Sequence, residues 1–157
     1  VIENAVIAEA ARTGGAFRFL RPAFSDPALV EGAMTILGRV GIEGRADTPV
    51  SDLAHGERRL LELVLALAGD PALLLLDEPM AGAGPEETQH MIGIIDRLRG
   101  DVGILLIEHD MDAVFRLADR VTVLVEGAVI ASGTPEEIAG DAAVRASYLG
   151  SDDDAAA

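Results

Sequence analysis

The residues with the clearest chemical potential are two acids, Asp77 and Glu78, which follow directly after a run of leucines. The leucine run 73–76 predicts a strand that is buried on both faces of a parallel sheet. Ligands of open α/β sheets bind beyond the carboxyl ends of the strands, so both acids lie at a candidate reaction site. Neighbouring side chains on extended backbone point in different directions, so one acid can hold a metal while the other faces water. Phosphoryl transfer needs both functions: a ligand for Mg²⁺ and a group that orients or deprotonates the attacking water.

Two further segments carry residues that suit phosphate chemistry. Upstream, the turn Leu53-Ala54-His55-Gly56-Glu57 leads into an apolar helix. A glycine at the start of a helix lets the backbone approach a phosphate, and the free N–H groups there favour an anion. Downstream, an apolar strand over residues 103–108 ends at His109, which can donate from one ring nitrogen while the other fixes the tautomer. Taken singly, the first segment also fits a plain turn into a core helix, and the second a polar cap on a strand.

In this order and spacing, the segments resemble the motifs of the nucleotide-binding subunit of an ATP-binding-cassette (ABC) transporter. Residues 53–57, called the signature turn below, resemble the motif L-S-G-G-Q, and residues 73–77 resemble Walker B. Glu78 looks like the catalytic glutamate and His109 like the switch histidine. The family's D-loop falls on Ala81, Gly82, Ala83 and Gly84, called the D-loop segment below. The resemblance covers nearly all of the chain, from about residue 1 to residue 150.

The resemblance implies an α/β P-loop NTPase fold that is incomplete, with a helical subdomain and the C-terminal half of the RecA-like core. We expect the helical, signature-bearing part over residues 1–70 and the core half over residues 71–134. C-terminal helices should follow over residues 135–150. Residues 151–157 are acidic and alanine-rich, which predicts a disordered tail.

The resemblance also implies roles, cofactors and partners. In the family, the aspartate that matches Asp77 holds Mg²⁺ through water, the residue that matches Glu78 acts as general base, and the residue that matches His109 contacts the γ-phosphate. The signature turn closes on ATP held by a second ATPase subunit. ATP and Mg²⁺ are therefore the expected cofactors, and transmembrane permease subunits are expected partners of a cytoplasmic protein peripheral to the inner face of the plasma membrane. The D-loop segment and the ending 144–150 resemble subunits of branched-chain amino-acid importers, and urea-type importers have a similar ending.

The chain departs from the family pattern at four positions. Ala54, His55 and Glu57 replace the serine, the first glycine and the glutamine of the signature motif, and Gly84 replaces a common aspartate in the D-loop. A carboxylate at position 57 is unfavourable beside a triphosphate unless it points away, toward Arg58 or Arg59. Ala54 removes a hydroxyl contact to the γ-phosphate and leaves backbone donors.

Composition limits the possible functions. All 12 Lys+Arg residues are arginine. Because the 157 residues contain no lysine, they contain no G-x-x-x-x-G-K-[ST] phosphate loop. Because the one glutamine, Gln89, lies downstream of Walker B, the family's Q-loop glutamine is missing too. We therefore expect the C-terminal part of a longer protein, and no ATP hydrolysis by this chain alone. A net charge of −15 argues against a nucleic-acid-binding surface, and no apolar run approaches a membrane helix of about 20 residues.

Two other functional classes remain open on the sequence alone. A chromosome-maintenance or DNA-repair ATPase shares the signature and Walker B motifs, although the acidic charge and the absence of coiled-coil heptads disfavour it. A non-catalytic fragment that acts only in dimerisation or binding is the other alternative. The presence of a G-K-[ST] loop upstream in the same reading frame would decide against the second of these.

Local patterns predict the elements that position the motifs. Helices are expected over residues 28–40 and 85–99, with a loosely patterned connection over residues 13–27. Residues 121–125 and 128–130 read as a β-hairpin. Ser51 or Asp52 is expected to cap the turn before the helix that follows the signature turn, and Thr134 with Glu137 to form a capping box.

Overall fold

The computed structural model describes residues 1–13 and 22–148. It contains two compact units, residues 1–105 and residues 106–157, and each unit is described by itself. Part of the predicted connection 13–27 and all of the predicted tail 151–157 lie outside the described residues. The predicted subdomain boundaries at residues 70 and 134 remain predictions. Within the described ranges, no helix is both long and apolar enough to span a bilayer.

In its described residues, the first unit is built mainly from four α-helices. They are α1 (Ile2–Arg12), α2 (Pro27–Val40), α3 (His55–Leu67) and α4 (Pro85–Leu98). Short 3-10 helices occupy Ala23–Ser25, Glu43–Arg45 and Val50–Asp52. Helix α2 packs on α1 and on α3, and its side chains Leu37 and Val40 are fully buried. The predicted helices over residues 28–40 and 85–99 are confirmed to within one residue at each end.

Local sequence explains the ends of α2. The Asp26 side chain accepts a hydrogen bond from the backbone N–H of Ala28 at 3.1 Å, and Pro27 occupies the first helical position. The helix ends at Gly41, whose φ of 80° lies in the left-handed region that favours glycine. The Gly41 N–H donates to the Leu37 carbonyl at 3.0 Å. The buried residue Ile42 then leads into the 3-10 helix Glu43–Arg45.

Strands β1 (Leu73–Asp77) and β2 (Gly103–Ile107) form a two-stranded sheet. The expectation that β1 is buried on both faces is wrong. Leu74 is 4% exposed, whereas Leu73 and Leu75 are 56% and 66% exposed. Successive side chains of a strand point to opposite faces, so one face of β1 is packed and the other is open in the described structure.

The second unit combines an antiparallel hairpin with three short helices. The hairpin consists of β3 (Val121–Val125) and β4 (Ala128–Gly133), as predicted, with β4 three residues longer than expected. The helices are α5 (Met111–Leu117), α6 (Pro135–Gly140) and α7 (Ala142–Tyr148). Val121, Val123, Ile138 and Val144 form the core of this unit. The capping box is confirmed, because Thr134 N–H donates to Glu137 at 2.8 Å and Glu137 N–H donates to Thr134 at 3.3 Å.

Candidate functional site

The two acids stand where β1 ends and the backbone changes direction. Asp77 is the last residue of the strand, and Glu78 has a φ of 45°, in the left-handed region that non-glycine residues rarely adopt. Two consecutive turns follow, with N–H donors at Ala81 and Ala83 and carbonyl acceptors at Glu78 and Met80, both at 3.1 Å. Both acids are exposed and line a cavity of ≈ 340 Å³. A strained residue next to an exposed carboxylate is typical of a functional site.

The acids fit a role at a magnesium ion bound together with phosphates. Mg²⁺ prefers oxygen ligands and is commonly held by one or two carboxylates together with waters and substrate phosphates. Asp77 supplies one such carboxylate at the strand end. Among the described residues, no group of three or more His, Cys, Asp or Glu side chains could hold a metal by itself. Asp77 could thus supply one oxygen ligand to a metal ion.

The end of the signature turn is fixed by its own glutamate. Glu57, in the first turn of α3, accepts a hydrogen bond from the backbone N–H of Ala54 at 2.9 Å. The local reason is spacing: a glutamate three residues after the capping position can reach back to that residue's N–H. The turn before α3 is the 3-10 helix Val50–Asp52, which has no side-chain cap, so the cap expected there from Ser51 or Asp52 is not formed. The Ser51 hydroxyl instead donates to the Asp52 carboxylate at 2.9 Å.

Glu57 also pairs with a different arginine from those predicted. Its second carboxylate oxygen accepts from Arg45 Nε at 2.6 Å. Arg58 instead donates to the carbonyls of Leu53 at 3.1 Å and Ser51 at 2.8 Å, and Arg59 donates to a carbonyl outside the turn. The hydrogen bond from the Ala54 N–H, followed by the bond from Arg45, holds the pKa of Glu57 below its ordinary value.

The signature turn and the D-loop segment lie close together in the first unit. A Cβ atom added at Gly56 would stand 3.0 Å from Glu87 Oε1, so the absence of a side chain permits this approach. Glu87 Oε2 in turn accepts from the Gly84 N–H at 3.2 Å, which fixes the end of the D-loop segment. Gly56, Glu57 and Ala83 contribute to the lining of one cavity of ≈ 530 Å³.

A second contact joins α3 to Pro79, the residue that follows Glu78. Arg59 Nη1 donates to the Pro79 carbonyl at 3.0 Å, and Arg59 lines the cavity that contains both acids. Sequence reasoning missed Arg45 and Glu87 as parts of the site, and it gave Arg59 a different partner. Only Glu87 carried a visible signal, because a glutamate three residues after Gly84 has the spacing of a helix cap. The two arginines act across distances in sequence that no local pattern reveals.

His109 lies in the second unit, directly after a buried carboxylate. Its backbone N–H donates to Glu108 Oε2 at 3.1 Å, and its Nδ1 is 3.8 Å from the same oxygen. The side chain of His109 is 68% exposed, whereas that of Glu108 is 1% exposed. Asp110 then caps α5 by accepting from Asp112 N–H at 3.0 Å. The imidazole therefore projects into solvent from a strand end that is fixed on both sides.

The other two histidines are also exposed. His55 is the first residue of α3, and His90 on α4 lines the ≈ 530 Å³ cavity. Neither belongs to a metal-ligating cluster among the described residues.

Comparison with known proteins places this geometry in a family. The sequence profile described as ABC transporter matches residues 5–81, which include the signature turn, Asp77 and Glu78. A second profile, described as branched-chain amino acid ATP-binding cassette transporter, matches residues 128–154. The chain belongs to the ABC transporter ATPase family. Its resemblance to the branched-chain amino-acid branch is likewise confirmed.

The curated relatives of this ABC chain are transport proteins. It is 40% identical to the high-affinity branched-chain amino acid transport ATP-binding protein LivG of Salmonella typhimurium, over 96% of this chain and 62% of LivG. It is 36% identical to the corresponding protein BraF of Pseudomonas aeruginosa, over 95% of this chain and 61% of BraF. The chain thus spans less than two thirds of the length of these relatives.

Solved structures confirm the expected P-loop ATPase fold. A structure of an ATP-binding cassette of an ABC transporter matches 95% of this chain and 62% of its own, with a TM-score of 0.77 and 26% identity. The same type of cassette in its ADP conformation matches with a TM-score of 0.75 and 26% identity.

Proposed function

We propose that the protein containing this chain is the ATP-hydrolysing subunit of an importer for branched-chain amino acids. The observation that carries the proposal is the exposed pair Asp77 and Glu78 at the end of β1, in the unit that also joins the signature turn to the D-loop segment. The named relatives LivG and BraF are branched-chain amino acid transport proteins rather than chromosome-maintenance ATPases, which favours transport.

The two acids have separate tasks in this proposal. Asp77 would hold Mg²⁺, which neutralises charge on the phosphates when it is bound. Glu78 would orient or deprotonate the water that attacks the γ-phosphate of the substrate ATP. The turn after β1 supports this division. Asp77 is the last residue of the strand, and the left-handed backbone at Glu78 turns the chain away from the direction of the strand.

The signature turn would bind ATP held by a second ATPase subunit. Gly56 places no side chain of its own at the start of α3, and the first N–H groups of the helix would favour an anion. The neighbouring D-loop segment 81–84 would lie at the same contact between subunits. His109 would donate a hydrogen bond to the γ-phosphate, a task that suits its exposed imidazole.

The proposed protein works as one part of a membrane machine. Two ATPase subunits, identical or different, would act on transmembrane permease subunits from the inner face of the plasma membrane. The substrate preference rests on the branched-chain relatives and on the matching profile over residues 128–154. No contact with nucleic acid is proposed, in keeping with the net charge of −15.

Reconstitution tests this function. The complete subunit, purified together with transmembrane permease subunits, is placed in vesicles, and uptake of radiolabelled leucine is followed with and without Mg·ATP. We expect ATP-dependent uptake that unlabelled isoleucine or valine inhibits and that urea does not. Inhibition of uptake by urea, but not by isoleucine or valine, would indicate a urea-type importer. Uptake that does not depend on ATP would refute the proposal.

A further inference from the structure

The signature turn contains a charge that its proposed ligand would repel. Glu57 lies in the first turn of α3, beside the N–H groups that would receive a phosphate. Both of its carboxylate oxygens are engaged, one by the Ala54 N–H at 2.9 Å and the other by Arg45 Nε at 2.6 Å. The Glu57 side chain is 24% exposed and that of Arg45 is 55% exposed. The carboxylate is therefore held in one position, with its charge matched by a guanidinium.

Arg45 comes from a separate and well-anchored element. Its N–H donates to the Ile42 carbonyl at 2.9 Å, and its carbonyl accepts from Thr48 N–H at 2.9 Å. Ile42 is buried, and its own N–H donates to the Leu37 carbonyl at 3.1 Å. This corner after α2 also lines the ≈ 530 Å³ cavity together with Gly56 and Glu57. The guanidinium thus reaches the signature turn from a backbone that is fixed to the core.

The cations next to Glu57 in sequence have other tasks. Arg58 donates to the Leu53 and Ser51 carbonyls, which holds the turn in shape, and Arg59 donates to the Pro79 carbonyl. Arg45 is the arginine that forms an ion pair with the Glu57 carboxylate.

We propose that Arg45 is a positioning residue for the signature turn: it holds the Glu57 carboxylate on the Ala54 N–H and cancels its charge, so that the turn accepts a polyphosphate. The inference rests on the proposed function and assigns a further residue to the same site. It predicts that position 45 controls nucleotide affinity only while position 57 carries a charge.

The test is a double-mutant cycle in the purified subunit, with Arg45→Gln, Glu57→Gln and the double variant. Arg39→Gln is the matched control, because Arg39 forms an ion pair with Asp101 at 3.3 Å on the exposed surface of the same unit. The readouts are KM and kcat for Mg·ATP, equilibrium binding of a non-hydrolysable ATP analogue, and the thermal unfolding temperature.

We expect Arg45→Gln to raise KM and to weaken analogue binding by about three- to fivefold, the size of an exposed charge interaction, while kcat stays unchanged. The effect should shrink at high salt, which screens exposed charges. The double variant should return to the affinity of Glu57→Gln, and Arg39→Gln should match wild type.

Two results would overturn the inference and leave the proposed function intact. One is wild-type ATP turnover with an Arg45→Gln affinity equal to that of Arg39→Gln. The other is a double variant as weak as Arg45→Gln, with a lowered unfolding temperature, which would indicate a structural role only. Failure of the wild-type subunit to bind or hydrolyse ATP would instead refute the proposed function, and the inference with it.

Discussion

Asp77 and Glu78 are adjacent, yet one ends a regular strand and the other has a φ of 45°. At the scale of single residues, this difference supports separate roles for the two carboxylates. Glu78→Gln keeps the shape of the side chain and removes its basicity. In the complete subunit, we expect normal ATP binding and a loss of turnover of about 10²–10⁴-fold, the usual contribution of an acid–base group.

Asp77→Asn is the matched comparison for that variant, because it removes charge at the neighbouring position. It should shift the dependence of turnover on Mg²⁺ concentration to higher values. Steady-state phosphate release and nucleotide binding are the measurements. If Glu78→Gln were fully active and His109→Ala inactive, the roles assigned to Glu78 and His109 would have to be exchanged.

Glu9 is a buried acid outside the site whose charge affects stability. It is 5% exposed and accepts from Arg12 Nε at 2.9 Å, and this side-chain hydrogen bond is the main reason that the pKa of Glu9 is lowered. A lowered pKa in the folded state contributes stability that is present above the ordinary value of 4.5 and is lost as the pH falls through the folded value.

We therefore expect Glu9→Gln to reduce the free energy of unfolding by roughly 1.5–3 kcal/mol at pH 7, the range for hydrogen bonds to charged groups. The difference from wild type should shrink as the pH falls from 4.5 through the lower pKa of folded Glu9, below which wild type also loses the charge. Urea denaturation at several pH values measures both effects. An equal loss at pH 7 and in acid would mean that packing, not charge, is responsible.

At the scale of elements, two glycines of α2 have opposite requirements. Gly41 ends the helix with a φ of 80°, whereas Gly38 lies inside the helix, where a Cβ would meet nothing within 4 Å. Gly41→Ala should lower the free energy of unfolding by about 1 kcal/mol, because alanine is strained in the left-handed region. Gly38→Ala should raise it by about 0.5–1 kcal/mol, because alanine favours the helix. Chemical denaturation distinguishes the pair, and the same sign for both would contradict the proposed helix end.

Elements with local signals were predictable from sequence, and contacts between elements were not. Asp26, Pro27 and Gly41 define α2 through rules that span a few residues, and the predicted bounds are confirmed. The open face of β1 depends on what packs against the strand, which a run of leucines does not specify. The partner of Glu57 was mispredicted for the same reason, since Arg45 lies 12 residues away. The left-handed backbone at Glu78 carried no signal in its residue type.

At the scale of the whole molecule, the proposed nucleotide site lacks a phosphate-loop lysine in these 157 residues. The acids and the signature turn are present, but the 157 residues contain no lysine to hold the β- and γ-phosphates. We expect no measurable Mg·ATP turnover by the purified 157-residue chain in a phosphate-release assay. Turnover at the rate of a longer family member such as LivG would contradict this division of the site.

The alternation along β1 has a consequence for how the chain behaves in solution. Leu73 and Leu75 present branched hydrocarbon to water on one face, while Leu74 anchors the other face in the core. Contiguous apolar surface of this kind promotes self-association, and a strand is a ready template for it. In size-exclusion chromatography, the chain by itself should therefore elute as oligomers whose size increases with concentration. It should also increase the fluorescence of a dye that binds exposed apolar surface. The leucines that put the two carboxylates at the end of the strand thus also make this chain prone to aggregation when nothing covers them.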